Sequence, residues 1–375
     1  MSFRYASAIN KPGFNPLGVQ TSVTYYNLYS WGLNSSGQLG LTNTTNYSSP
    51  KQVGLNPTWL STSGGTGFTA ATQPNGTLWV WGLNSVGQLG LGNTTSYSSP
   101  KQLGTLTNWL KISCGYQHFV AVKTNGTLWS WGQNSSGQLG LGNLTSYSSP
   151  KQVGALTDWS NVVAGRNFTI AIKTNNSIWA WGNNSSGQLG QNNLTYYSSP
   201  KQVGSLTTWA SVACGDRFSV AIKTNNTLWT WGRNGNGQLG QGTVSVDTSS
   251  PAQVGALTDW SVAEPSGTSS FSIKTNGTLW SWGNNGVGQL GLGNTTNTYY
   301  SPIQVGALTN WLQVSGGGYF AAAIKTNGTL WSWGNNGNGQ LGLGDIINRS
   351  SPTQVGALTT WLGVAAGYDF TLAKE

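Results

Sequence analysis

His118 is the one side chain of this sequence with an ordinary pKa near neutrality, and any acid–base or hydrolytic chemistry would have to be built around it. A nucleophilic site would place a Cys or Ser beside it, and a zinc site would add ligands at short spacings. The sequence contains no Cys-His-Asp grouping and no metal-ligand spacing. Asp216, Asp247, Glu264, Asp345 and Asp369 are scattered, while Asp158 and Asp259 share a turn position held elsewhere by Asn108, Thr208, Asn310 and Thr360. That slot reads as one for a short turn-forming side chain, not for charge. Cys114 and Cys214 occupy equivalent places in non-adjacent repeat units, too far apart for a disulfide, and read as small buried residues of a chain made in a reducing compartment. The Gly-rich phrases open no helix, so they are not phosphate cradles. Asn-x-Ser/Thr triplets read as turn chemistry. The expectation is a non-enzymatic protein without catalytic residues, cofactor or metal.

What positions these residues is a repeat. Trp-Gly pairs begin at Trp31, Trp81, Trp131, Trp181, Trp231, Trp282 and Trp333, in steps of 50, 50, 50, 50, 51 and 51 residues. Each opens the same phrase, for example Trp131-Gly132-Gln133-Asn134-Ser135-Ser136-Gly137-Gln138-Leu139-Gly140. A unit of this size buries its apolar face only against copies of itself. The remaining tryptophans follow the same clock. Seven are Trp59, Trp109, Trp159, Trp209, Trp260, Trp311 and Trp361; six more, from Trp79 to Trp331, precede the pairs by two residues, with Tyr29 in the seventh place.

One unit reads as four strands. Leu110–Cys114 alternates, His118–Lys123 has the β-branched, small-residue character of a central strand, and Leu128–Trp131 returns after the Asn125-Gly126 turn. Ser149–Gly154, with Pro150, suits an outer edge. The first unit starts at the third strand and the last stops after the second, so the two ends together make one unit. This predicts an all-β, seven-bladed β-propeller of four-stranded blades over residues 23–375, its ring closed by N- and C-terminal segments sharing one blade. Residues 1–22 lie outside the period and form an extended N-terminal arm.

The phrase Trp-Gly-x-Asn-x-x-Gly-Gln-Leu-Gly, seven times at this spacing, resembles the repeat of the regulator of chromosome condensation family. The resemblance covers about residues 23–375 and implies a seven-bladed propeller. Family repeats usually carry His in the slot that here holds Phe68, His118, Phe168, Phe218, Ser269, Phe320 and Phe370, which makes His118 a structural repeat residue. The resemblance also implies, as one alternative, a regulator of a small GTPase or of chromatin, though no loop outside the repeat consensus matches that activity.

Composition narrows the rest. Charged residues make up 7% of the chain, and the net charge of +9 reflects only eight acids. Lys51, Lys101, Lys151 and Lys201 share one slot and Lys123, Lys173, Lys223, Lys274 and Lys325 another, a diffuse field unlike the stripe of a nucleic-acid binder. The chain start has no secretory apolar core, and no run suggests a membrane span. Candidate partner contacts are Phe3, Tyr5 and Phe14 of the arm, and Tyr47, Tyr97, Tyr147, Tyr197 and Tyr299 of the longest loops. The irregular stretch Glu264–Ser270 of the fifth blade breaks the symmetry. The functional expectation is a scaffold, a virion component such as a tail, fibre or capsid-surface protein, attached to other assembly subunits through its arm. The location is then the virion, with cytoplasm as the alternative. A carbohydrate-binding adhesin using the tyrosine loops is a further alternative.

Overall fold

The second strand of each unit, His118–Lys123 in blade two, is buried along its whole length, because it packs against a neighbouring sheet on both faces. The third, Leu128–Gly132, buries all but Trp129, and the outer strand Tyr147–Gln152 is only partly covered. The structure, a computed structural model, describes residues 26–55, 59–243, 246–296 and 298–375. Its strands form seven four-stranded antiparallel sheets. Blades one to six comprise residues 61–102, 109–152, 159–202, 209–253, 260–304 and 311–354. Blade seven orders its strands Tyr47–Gln52, Leu28–Gly32, Phe370–Lys374, Gly363–Ala366, so the two ends of the chain share it, as expected.

One strand boundary is corrected. The outer strand begins at Tyr147 and ends at Gln152, because Tyr147 pairs with Gly132 and the register then slips before Lys151. Pro150 falls in that irregular stretch, where its missing N–H breaks no regular ladder. At Asn125-Gly126 only the glycine has positive φ, +75°. The Gly126 N–H donates to the Lys123 carbonyl, and the Lys123 N–H to the Thr127 carbonyl. This is the type I turn with a following left-handed residue, which explains how Asn176 and Asn226 can replace glycine there with φ of 61° and 59°.

The Trp-Gly phrase is the joint between blades. Trp131 is fully buried and its indole N–H donates to the Gln88 carbonyl of the preceding blade at 3.1 Å. A Cβ on Gly90 would come within 2.6 Å of that indole nitrogen, so the Gln-Leu-Gly of one repeat is the seat for the tryptophan of the next. Gly132 has φ +94°, and a Cβ there would meet the Gln117 carbonyl oxygen at 2.6 Å. Asn134 completes the phrase: its Oδ1 accepts the Leu139 N–H and its Nδ2 donates to the Asn143 carbonyl. Ring closure uses the same joint, Trp31 donating to the Gln340 carbonyl at 3.0 Å. The apolar core therefore consists of layers between adjacent sheets; one holds Phe68, Leu78, Val80 and Leu89 of blade one against Trp109, Ile112, Phe119 and Trp131 of blade two.

The second lysine slot is interior, not a surface field. The Lys123 ammonium lies 4.6 Å from the Trp109 ring and 3.8 Å from the Trp129 ring, and Lys173, Lys223, Lys274 and Lys325 repeat the arrangement. The Asp158/Asp259 slot does use its charge where it has one. Asp158 pairs with Lys173 at 3.2 Å and Asp259 with Lys274 at 3.3 Å, because the slot lies beside these ammonium groups.

Candidate functional site

Each blade's inner strand runs out at the axis and turns into the second strand through two residues. Five of these turns follow a glycine whose missing Cβ makes room for a Phe ring; at Gly165 a Cβ would lie 2.1 Å from Phe168. Blade two has His118 in the ring's place, with Gly115 before it. Blade five exchanges both partners together: Ser266 replaces the glycine and Ser269 the ring, so no aromatic is left to collide with a side chain at 266. Ser269 Oγ donates to the Asn284 carbonyl and Ser266 Oγ to the Gly318 carbonyl. The irregularity of that blade is thus a compensated pair of changes, with Glu264 buried beside it.

The turns themselves do not repeat. They read Thr66-Gly67, Tyr116-Gln117, Arg166-Asn167, Asp216-Arg217, Gly267-Thr268, Gly318-Tyr319 and Tyr368-Asp369, seven different pairs between strands that recur almost unchanged. All seven ring the same mouth of the axial channel. The Arg166 guanidinium covers the Tyr116 ring at 4.9 Å and meets Asp216 at 3.7 Å. Tyr319 and Tyr368 stand edge to face at 6.2 Å. Burial, and after it the negative charge of Asp216, raises the Tyr368 phenol pKa, and burial raises that of the Asp369 carboxyl. Adjacent turns are also tied by backbone, Gly318 N–H to the Tyr368 carbonyl at 2.7 Å and Tyr368 N–H to the Gly65 carbonyl at 3.2 Å.

A second ring surrounds the first. The residue after each Trp-Gly pair donates its backbone N–H to a turn carbonyl, which places Arg233 beside Arg217 and Leu33 beside Asp369. Arg217, Arg233 and Tyr319 are exposed. The channel below is lined largely by glycines and offers about 50 Å³, room for a few waters and no organic ligand. The mouth thus presents exposed arginine and tyrosine side chains around a channel of small volume.

The side chains singled out in the sequence lie elsewhere. Phe3, Tyr5 and Phe14 are outside the described residues. Tyr47, Tyr97, Tyr147, Tyr197 and Tyr299 begin the outer strands and are spread around the circumference, each half-buried with its hydroxyl accepting from an Asn Nδ2, as from Asn143 at 3.3 Å. Four of them also lie under a lysine, Lys151 over Tyr147 at 5.3 Å. Asp216 and Asp369, scattered in the sequence, share the mouth. Both cysteines are buried thiols. Among the described residues no group of three or more His, Cys, Asp or Glu could hold a metal, and no helix is long and apolar enough to cross a membrane.

His118 is fully buried, and burial pushes its pKa down to about 3. Thr169 Oγ1 donates to the Gln138 carbonyl, so His118 Nε2 carries the proton and donates to Thr169, at 3.1 Å. Below pH about 6.5 the unfolded chain binds a proton that the native state refuses until pH about 3, so stability is full above that window and falls as pH drops through it. His118→Phe, the residue of five other blades, removes the term. Its stability advantage should widen by roughly 1.4 kcal/mol per pH unit between pH 6 and 4. Urea titrations across that range check this, and parallel acid limbs would contradict it.

The RCC1-like domain model matches residues 22–320 and 162–375. The chain belongs to the RCC1-like domain family. Among curated RCC1-like relatives, it is 42% identical over 89 residues to the mitochondrial RCC1 domain-containing protein RUG3 of Arabidopsis thaliana, covering 22% of this chain and 20% of that protein. It is 37% identical over 83 residues to the probable E3 ubiquitin-protein ligase HERC3 of Homo sapiens, covering 22% of this chain and 8% of that protein. The matched stretches thus span a fifth or less of these relatives. The fold is similar to human WBSCR16, with TM-score 0.85 at 22% identity over 94% of this chain and 99% of that one. Yeast RCC1 (Prp20), solved bound to Kap60, gives TM-score 0.85 at 19% identity over 98% and 96%.

Proposed function

We propose that this RCC1-like propeller is a non-enzymatic interaction platform whose protein partner docks over the axial mouth formed by the seven unlike turns. One observation carries the reading. Repeats that are otherwise nearly identical diverge most clearly at a slot that the ring gathers into one place, and that place presents Arg217, Arg233 and Tyr319 above a channel too small for a ligand. The platform class is common to the family. A Saccharomyces cerevisiae relative in fold, Prp20p, is described with its binding to Gsp1p and histones, which makes these two proteins the first probes.

The triple variant Arg217→Ala/Arg233→Ala/Tyr319→Ala alters only exposed side chains and should weaken partner binding by about tenfold or more, ~1.4 kcal/mol. Tyr147→Ala, on the outer wall, should leave it unchanged. Titration calorimetry with each protein reads both. Binding lost with the wall variant and kept with the mouth variant would displace the site, and absence of binding and of nucleotide release would retire the GTPase and histone version. The virion version rests on repeat identity and low charge. Co-purification with assembled particles supports it, and a strictly soluble monomeric pool counts against it.

A further inference from the structure

Between neighbouring blades, at the strand ends away from that mouth, the wall of the propeller opens into grooves. At blades four, five, six and seven they measure about 310, 300, 340 and 390 Å³. Each has room for one ring-sized group, where the axial channel admits only a few waters. The groove of blade six is lined by Trp311, the half-buried Trp331, the exposed Leu308, Gln304, Ser351 and the interior Lys325. Blade four offers Trp209, Trp229, Leu206, Gln191 and Ser250, with the Lys223 ammonium 3.5 Å from the Trp229 ring. Blade two repeats the pattern as Leu106, Trp109, Lys123 and Trp129.

The lysine slot divides the blades into two kinds. In blades three and five the ammonium holds a carboxylate of its own chain, Asp158 on Lys173 at 3.2 Å and Asp259 on Lys274 at 3.3 Å. Those two carboxylates are 41–44% exposed, so an anion reaches the ammonium from the water side. Blades two, four and six keep the ammonium between the same two indoles but carry Asn108, Thr208 and Asn310 in place of the Asp. Among the described residues no carboxylate pairs with Lys123, Lys223 or Lys325. Asn and Thr offer an oxygen but no charge. The three lysines are only 5–9% exposed, and burial lowers their pKa. The indole faces offset part of the cost of burying the charge. A cation so placed, without a counter-charge, has most to gain from an arriving anion. What Asp158 and Asp259 supply from within, the carboxylate of a ligand can supply in blades two, four and six.

The rest of the groove sets the body of that ligand. The half-buried indole and the exposed leucine form an apolar plate, whereas Gln304 and Ser351 are uncharged hydrogen-bonding groups. A ring with one apolar face, hydroxyls at its edge and a single carboxylate matches all three. We infer that the grooves of blades two, four and six bind the uronate residue of an acidic saccharide, its carboxylate on the lysine ammonium and its pyranose face on the indole. The site uses no residue of the mouth and stands apart from the protein partner proposed there.

Titration of the indole N–H resonances of the full-length protein at pH about 7 tests this, with glucuronate, glucose and benzoate as probes. Glucuronate should shift the signals of Trp129, Trp229 and Trp331 and leave those of Trp179 and Trp280 in place. Glucose lacks the carboxylate and benzoate lacks the hydroxyls, and each should bind about tenfold or more weakly. Asn108→Asp/Thr208→Asp/Asn310→Asp installs the residue that blades three and five already carry. It should keep the melting temperature and weaken glucuronate by at least about tenfold. The reverse variant, Asp158→Asn/Asp259→Asn, should bring Trp179 and Trp280 into the response. Equal shifts in all five blades of the wild-type protein, or none with glucuronate, would overturn the proposal. So would benzoate binding as tightly as glucuronate, because the groove then selects any carboxylate and not a sugar.

Discussion

A chain that stops at Leu358 is expected to lose the single cooperative unfolding transition of the full-length protein. The truncation removes Gly363–Ala366 and Phe370–Lys374, the two strands that complete blade seven. Leu28–Gly32 then lacks its partner along one whole edge, where it pairs from Leu28 with Lys374 to Gly32 with Phe370. Two core layers open at once. On one side Trp31, Ala322, Ile324 and Leu330 lose Trp361, Val364 and Ala373; on the other Trp59, Ala71 and Trp81 lose Ala365, Phe370 and Leu372. At roughly 1.5–3 kcal/mol per large side chain returned to water, these losses match the whole stability of an ordinary domain, about 5–15 kcal/mol. Calorimetry checks the result. A truncated chain that melts in one transition within a few degrees of the intact protein would mean that the blades are stable without closure. Adding residues 359–375 as a separate peptide should restore the transition, since the interface is made of ordinary strand pairing and side-chain packing.

The half-units at the chain ends make that closure legible in the sequence, because a shared blade leaves the repeat broken at complementary points. The Trp-Gly spacing was legible for a related reason: a joint used seven times must be written seven times. The mouth was not. Reading a repeat emphasises what recurs, and the turns from Thr66-Gly67 to Tyr368-Asp369 are what does not. The contact of Arg166 with Asp216 also joins residues 50 positions apart that meet only through the angle between neighbouring blades. The interior lysines were missed because Lys123 and its equivalents end strands beside turn residues, as solvated lysines do; only the two flanking indoles reveal the site. Blade five is the opposite case. Its Ser266 and Ser269 look like decay until the missing Cβ of the glycine slot is seen to be the room for a ring.

The same distinction between joint and facing predicts how two tryptophans of one strand differ. Trp131 is completely buried, stands 5.8 Å from Trp109, stacks on Phe119 at 4.3 Å and donates across the blade boundary to Gln88. Trp131→Ala therefore removes an indole from a layer built by two sheets and leaves the Gln88 carbonyl short of a donor. The expected cost is about 3–5 kcal/mol, from the lost burial together with the cavity. Trp129 is half-buried, 6.2 Å from Trp109, with its N–H held by Thr127 of its own strand approach and Lys123 over its ring. Its loss leaves Lys123 on Trp109 alone and opens an edge that water can fill, so Trp129→Ala should cost distinctly less, about 1–2 kcal/mol. Urea midpoints of the two variants separate the roles. Equal costs would show that the inner indole gains nothing from bridging blades, and would leave Gly90 and Gly132 without the joint that their missing side chains accommodate.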